Sequence, residues 1–181
     1  MASGSFVFVG YTYQRRDLAM QQFIATPKLI IVCGLPGSGK TTHAKKLEEL
    51  GAIRFCPDEW MQALSLSLHD EERRAQIEAL QWKLGQNLLA LGQTVIIEWG
   101  TWGRSERDTL RLGSRALGAA AELHFLSAPM GVLFDRVQRR GMEDPPLTIE
   151  NLRQSAAVFQ TPTPEEIVLF DAYTAVELRE G

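Results

Sequence analysis

Lys28-Leu29-Ile30-Ile31-Val32-Cys33-Gly34-Leu35-Pro36-Gly37-Ser38-Gly39-Lys40-Thr41 is the stretch from which the fold is read. Its first half is a continuous apolar run, the pattern of a strand buried on both faces of a parallel sheet. Its second half fits G-x-x-x-x-G-K-[ST], a loop whose backbone N–H groups curl inward around phosphate oxygens. At this composition a chance match is expected in only about four chains per thousand, so the loop is read as a phosphate cradle. The helix that follows adds its N-terminal dipole. Gly34, Pro36, Gly37, Ser38, Gly39, Lys40, Thr41 and Thr42 are therefore the expected cofactor contacts. Lys40 is expected to reach the β- and γ-phosphates of ATP or GTP, and the Thr41 hydroxyl to take a magnesium position. Thr42 is placed to bond the α-phosphate.

Outward from this loop, strand and helix patterns alternate. A helix is predicted over Lys40–Leu50, closed by Gly51, and a short strand over Ala52–Cys56. A long helix follows, with Ile77, Leu80, Leu84, Leu88 and Leu91 at spacings of three and four, stopped by Gly92. Thr94–Glu98 reads as the third strand, Ser105–Leu117 as a helix and Ala121–Ser127 as the fourth strand. Pro129 suits the first position of a helix running to Gly141, Thr148 can cap another to Phe159, and Ile167–Phe170 reads as the last strand. Strands separated by helices imply an α/β fold, a three-layer sandwich around a parallel sheet. Residues 1–181 are read as one domain, with a core over 28–170 and a lid near 136–150. Residues 1–27 form an extension without an assigned role; within it, Phe6–Tyr13 suits an edge strand or a hairpin arm and Arg16–Ile24 a short helix.

The 181 residues are 45% hydrophobic and 23% charged, which is globular usage and excludes disorder, collagen and disulfide-dense miniproteins. No stretch approaches the roughly 18 apolar residues that span a bilayer, so no membrane association is expected. Met1–Gly10 lacks the basic region of a signal peptide, and Cys33 and Cys56 make no disulfide framework; a cytoplasmic protein is the expectation. A net charge of −3 disfavours a long nucleic-acid strand as partner. Among the basic residues, 5 Lys stand against 14 Arg, and arginine is the better fork for phosphates.

Three later segments bear on chemistry. Asp58 closes the second strand, on the rim where neighbouring parallel strands end and ligands bind. It either accepts a proton from an attacking hydroxyl or caps the next helix. Glu98 ends the third strand; it holds magnesium through water, binds an acceptor hydroxyl, or serves as a structural partner of a loop N–H. Arg104 opens the next helix, where a cation opposes the dipole, a weak hint of a ligand. In Phe134-Asp135-Arg136-Val137-Gln138-Arg139-Arg140-Gly141, Arg136 and Arg140 share a helix face ahead of a Gly/Pro hinge. They suit a mobile flap that neutralises a transferring phosphoryl group, or a solvated basic helix end.

These segments together resemble small P-loop kinases, the group containing the kinase domain of phage polynucleotide kinase, chloramphenicol phosphotransferase and zeta-toxin-like kinases. The resemblance spans about Lys28 to Glu166 and is most specific in Gly34–Thr41. It implies a core like that of nucleoside monophosphate kinases, ATP and magnesium as cofactors, Asp58 as the base and Arg136 and Arg140 in the lid. Glu98 departs from it, standing where several relatives carry Asp, and the acceptor loops are unusually rich in tryptophan.

The function expected is an ATP-dependent phosphotransferase acting on a hydroxyl of a small molecule, with a nucleic-acid end as the less favoured acceptor. The alternative is a nucleotide-dependent switch that hydrolyses ATP slowly. Trp60, Trp99 and Trp102 follow strand ends on the active rim and suit a floor for a flat ring or sugar face, with Arg104 for a polar or anionic substituent. Trp82 is read as helix packing, Cys33 as core, and Cys56 as lacking a base to activate it. His43, His69 and His124 are dispersed and are read as surface or internally satisfied side chains.

Overall fold

The computed structural model describes residues 26–141 and 146–177; the readings made for 1–25 and for the middle of the flap, 142–145, lie outside them. Five strands, β1 Lys28–Cys33, β2 Ile53–Phe55, β3 Val95–Ile97, β4 Ala120–Ser127 and β5 Ala172–Glu177, form one sheet ordered β2-β3-β1-β4-β5. Every pairing is parallel. Seven helices complete the described chain: α1 Lys40–Glu49, α2 Pro57–Ala63, α3 Glu71–Ala90, α4 Arg104–Arg115, α5 Met130–Arg140, α6 Ile149–Val158 and α7 Pro164–Ile167.

The apolar run of β1 explains the layering. Leu29, Ile31 and Cys33 pack on one face with Val95, Ile97, Leu110 and Leu123, while Ile30 and Val32 pack on the other with Ile96, Ala44 and Leu126. Both faces of the central strand are thus covered, and each fully buried Leu or Ile contributes roughly 1.5–3 kcal/mol. β3 lies on one side of β1 and β4 on the other. Chain connections therefore diverge at the carboxyl end of β1, which opens the crevice where such sheets bind ligands. Glu98 N donates to Phe55 O (3.0 Å), so the ends of β2 and β3 meet the rim in register.

Two sequence expectations are corrected. The last strand is not Ile167–Phe170: Thr163 caps the short helix α7, with Pro164 at its first position, and the strand begins at Ala172. β5 is an edge strand whose half-exposed pattern has little continuous apolar signal, whereas Ile167–Phe170 supplied one. The buried stripe of α3 is also not the leucine series. It is Ile77, Gln81, Gly85 and Leu89, while Leu80 and Leu91 remain 50% and 74% exposed. Gly85 lets the helix approach Val95 and Phe55, and Gln81 is drawn inward by a hydrogen bond to Trp99. The chain after β2 is moreover split, α2 ending before a turn and α3 starting at a cap in which Asp70 accepts from Arg73 N (3.0 Å).

Candidate active site

The loop from Gly34 to Thr41 leaves the carboxyl end of β1 and turns into α1. Gly34 and Gly37 both take positive φ, and a Cβ on either would lie 2.2 Å from Leu126 O or 2.4 Å from Leu133 O. Only glycine fits there, so the loop can fold tightly against β4 and α5. Gly39, the N-cap of α1, is also left-handed and offers no side-chain cap, which leaves the first-turn amides available to an anion. Ser38 is fully buried and its hydroxyl has no partner among the described residues. Lys40 Nζ donates to Gly34 O (2.9 Å) and Leu35 O (3.0 Å), so the ammonium lies across the loop; burial lowers its pKa, and Glu98 opposes that shift.

Beneath the loop, the Thr41 hydroxyl donates to Glu98 Oε1. Arg54 holds the other carboxylate oxygen, its Nη1 donating to Glu98 Oε2 at 2.9 Å, and also reaches Glu48 and Glu59. Burial pushes the Glu98 carboxyl above the usual carboxylate range, against the pull of Thr41, Arg54 and Lys40. Thr41 and Glu98 set two hard oxygen donors side by side, the chemistry that suits magnesium. Glu98 thus belongs to the phosphate side of the crevice, with the loop rather than with the tryptophans.

Asp58 occupies the second position of α2 and is half exposed; Cys56 is the N-cap, so the aspartate does not cap the helix. Its carboxylate pairs with Arg74 of α3, and its charge is felt at Lys40. Arg74 also reaches Glu78 (3.9 Å) and opens onto a cavity of about 630 Å³. Trp99 and Trp102 line that cavity, together with Trp82, Thr101 and Glu78. The Trp99 indole N–H is fixed by Gln81 Oε1 at 2.9 Å, and the Trp102 ring packs over Gly100, where a Cβ would stand 2.5 Å from it.

The other candidates fall elsewhere. Trp60 packs edge-on against Phe55, with ring centroids 6.1 Å apart, and is outside the cavity lining. Arg104 also stays outside the lining; its Nε faces Asp108 at 3.5 Å and its backbone N–H donates to Gln160. Arg136 is exposed on α5, whereas the charge of Arg140 is felt at Lys40. Cys56 is buried, and desolvation with Glu98 nearby pushes its thiol up to about 11, which agrees with no nucleophilic role. His43 and His124, far apart in sequence, meet at 2.8 Å.

Sequence reasoning missed three contributors: Arg74, Trp82 and Arg107. Glu78 and Trp82 are four apart on α3, a spacing that places both on one face and was available as a signal. Arg107 is fully buried and bonds Glu166 through two atoms (2.6 and 2.9 Å), Thr101 O (3.0 Å) and Gln160 O (2.8 Å). It therefore ties the tryptophan-bearing loop to α7, and no local pattern distinguishes it from a surface arginine.

The AAA domain family matches residues 29–162. No curated protein sequence matches the chain. Among solved structures, a provisionally named kinase from Chloroflexus aurantiacus is 20% identical, with 84% of this chain and 89% of that one covered at a TM-score of 0.68. A gluconokinase from Sinorhizobium meliloti 1021 is 21% identical, covering 86% and 85% at 0.56. Kti12 from Chaetomium thermophilum, in complex with ADP-AlF3, is 18% identical, covering 82% and 88% at 0.61. The sheet order, the loop and the flanking helices are those of a P-loop kinase fold. Among the described residues no helix is long and apolar enough to cross a membrane. With three-quarters of its length matched and the phosphate loop in place, the chain belongs to the AAA domain family.

Proposed function

We propose that the protein is an ATP-dependent phosphotransferase that moves the γ-phosphate to a hydroxyl of a small-molecule acceptor, with Asp58 as general base. The observation that carries this reading is the position of Asp58 between two compartments. Its charge is felt at Lys40 in the phosphate loop, and its ion-pair partner Arg74 lines the tryptophan cavity. A switch needs only the first compartment. The ADP-AlF3 held by Kti12 and the name of the gluconokinase agree with nucleotide chemistry and a small acceptor.

In this reading the loop amides and Lys40 bind the β- and γ-phosphates, and Thr42 bonds the α-phosphate. Thr41 and Glu98 would hold magnesium, which would neutralise phosphate charge. Asp58 takes the proton of the acceptor hydroxyl as its oxygen bonds to the γ-phosphorus. The bond from that phosphorus to the bridging oxygen breaks, and ADP leaves. The transition state is loose, so alignment and charge neutralisation matter most. Arg140 supplies positive charge from the flap side, with Arg136 on the same helix face. The loop reads phosphates rather than the base, so GTP remains a second donor to assay.

The test is transfer of label from γ-labelled ATP to a pool of hydroxyl-bearing metabolites. Asp58→Asn keeps the shape but removes the proton acceptor, so transfer should fall by about a hundredfold or more. ATP affinity and Tm should stay near wild type. A sharp drop in Tm with transfer intact makes Asp58 structural, and hydrolysis with no labelled acceptor favours the switch.

A further inference from the structure

The tryptophan cavity has a charge as well as a shape. Its polar wall holds the carboxylates of Glu71, Glu78 and Glu106 against a single guanidinium, Arg74. That guanidinium is already engaged by Asp58 and Glu78. Burial raises the Glu78 carboxyl against the pull of Arg74, and the nearby charges of Glu106 and Asp58 add to the rise, so a further cation beside it would be favoured. The apolar wall is three half-buried indoles, Trp82, Trp99 and Trp102, and indole is the strongest aromatic partner for a cation.

A second observation is independent of the acidic residues. Thr101 lines the same cavity and is only 5% exposed, yet its hydroxyl has no hydrogen-bond partner among the described residues. Its φ is +29°, an uncommon backbone conformation for a β-branched residue. Arg107 braces it there, donating to Thr101 O from a fully buried position. A β-branched residue at positive φ with an unpaired buried hydroxyl marks this stretch of the cavity wall as strained, as functional loops often are.

We infer that this cavity takes a cationic polyol, a hydroxyl-bearing acceptor that also carries a protonated amine. The inference rests on the phosphotransferase reading for the role of the hydroxyl, but not for the binding of the cation. The amine sits among the indole faces and the Glu78 and Glu106 carboxylates, beside the strained loop at Thr101. This differs from the expectation of a polar or anionic substituent on Arg104, which stands outside the lining. A volume of about 630 Å³ lies in the range that encloses a drug-sized ligand, which suits a disaccharide or aminocyclitol better than a single small amine.

Two matched pairs test it by calorimetry and tryptophan fluorescence on the full chain, at mildly acidic pH where the amines are protonated. One pair is the β-1,4-linked glucosamine disaccharide and cellobiose, which carries hydroxyls in place of the amines. The other is choline and its neutral isostere 3,3-dimethylbutan-1-ol. The cationic member of at least one pair should bind about tenfold tighter than its twin, the scale of a desolvated cation–π contact. The combined substitution Glu78→Gln and Glu106→Gln should weaken that preference while the indole contribution remains, and glutamine at 106 still caps α4. Equal binding within both pairs, no binding by any member, or a preference left unchanged by the double substitution overturns the inference. Because Lys40→Ala leaves the cavity intact, cation binding by that variant separates this inference from the phosphotransferase reading. Transfer to neutral hydroxyl compounds without cation preference sinks the inference alone.

Discussion

Lys40 shows how one side chain can serve both the loop and its ligand. Its ammonium donates to Gly34 O and Leu35 O, and burial disfavours its charge. A phosphate offers that ammonium a formal charge in place of two carbonyl dipoles, and charge-assisted hydrogen bonds are about twice as strong as neutral ones. Lys40→Ala keeps the glycine cradle and the helix N-terminus but loses the ammonium that lies across the loop. Phosphoryl transfer should be abolished, and affinity for a non-hydrolysable ATP analogue should fall by roughly tenfold to a hundredfold. Isothermal titration and labelled transfer check this; undiminished activity would refute the phosphate-loop reading. Glu98 complements Lys40 from below, fixed by Thr41 and by Arg54, whose side chain is itself almost wholly buried.

At the scale of elements, the cavity depends on how α4 is joined to what surrounds it. Arg107 stands one turn into α4 and pairs with Glu166 of α7, both side chains being essentially inaccessible. Its remaining donors take the carbonyls of Thr101, Trp102 and Gln160. Removing one partner of a buried pair leaves the other uncompensated and costs about 3–5 kcal/mol. Arg107→Ala should therefore lower Tm by about 10 °C, at about 2–4 °C per kcal/mol for a domain of this size. The near-ultraviolet signal of the tryptophans should change with it, because the loop bearing Trp99 and Trp102 loses its anchor. Adding Glu166→Gln should recover part of the loss, since it removes the stranded charge. A Tm within two or three degrees of wild type for Arg107→Ala would show that the pair is not an anchor.

Across the whole molecule, the helix layer is joined to the sheet partly through titratable groups. His43 of α1 meets His124 of β4 at 2.8 Å, with Glu122 at 3.6 Å from His124 and Lys28 bonded to Glu122. Burial lowers both histidine pKa values; Lys46 adds to the effect at His43, and at His124 the His43 ring adds to it while Glu122 pulls the other way without reversing it. A histidine with a folded pKa below its unfolded value of 6.5 gains no stability difference at neutral pH, where both states are uncharged. As pH falls below 6.5 the unfolded state binds protons first, so stability declines until the folded pKa is passed. Tm should therefore drop between neutral and mildly acidic pH. His124→Asn should flatten that dependence, measured by thermal unfolding against pH, while a slope unchanged in the variant would remove this pair as its cause.

The sequence alone determined the features that rest on local chemistry. The β1 run is apolar at every position that the sheet covers, and Gly34–Thr41 carries its geometry in glycines that no other residue can replace. Its helices were legible where caps and glycine stops are local signals, as at Gly51 and Thr148. The tertiary structure decided the rest, because the deciding contacts join residues remote in the chain. Arg74 reaches Asp58 across 16 positions, Trp99 meets Gln81 across 18, and Arg107 meets Glu166 across 59. Such contacts turn α3 so that Gln81 is buried while Leu80 and Leu84 are exposed, and Trp82 reaches the cavity wall. Periodicity records how apolar a helix face is. It does not record which polar side chain has found a buried partner, and for α3 that partner, Trp99, set the orientation.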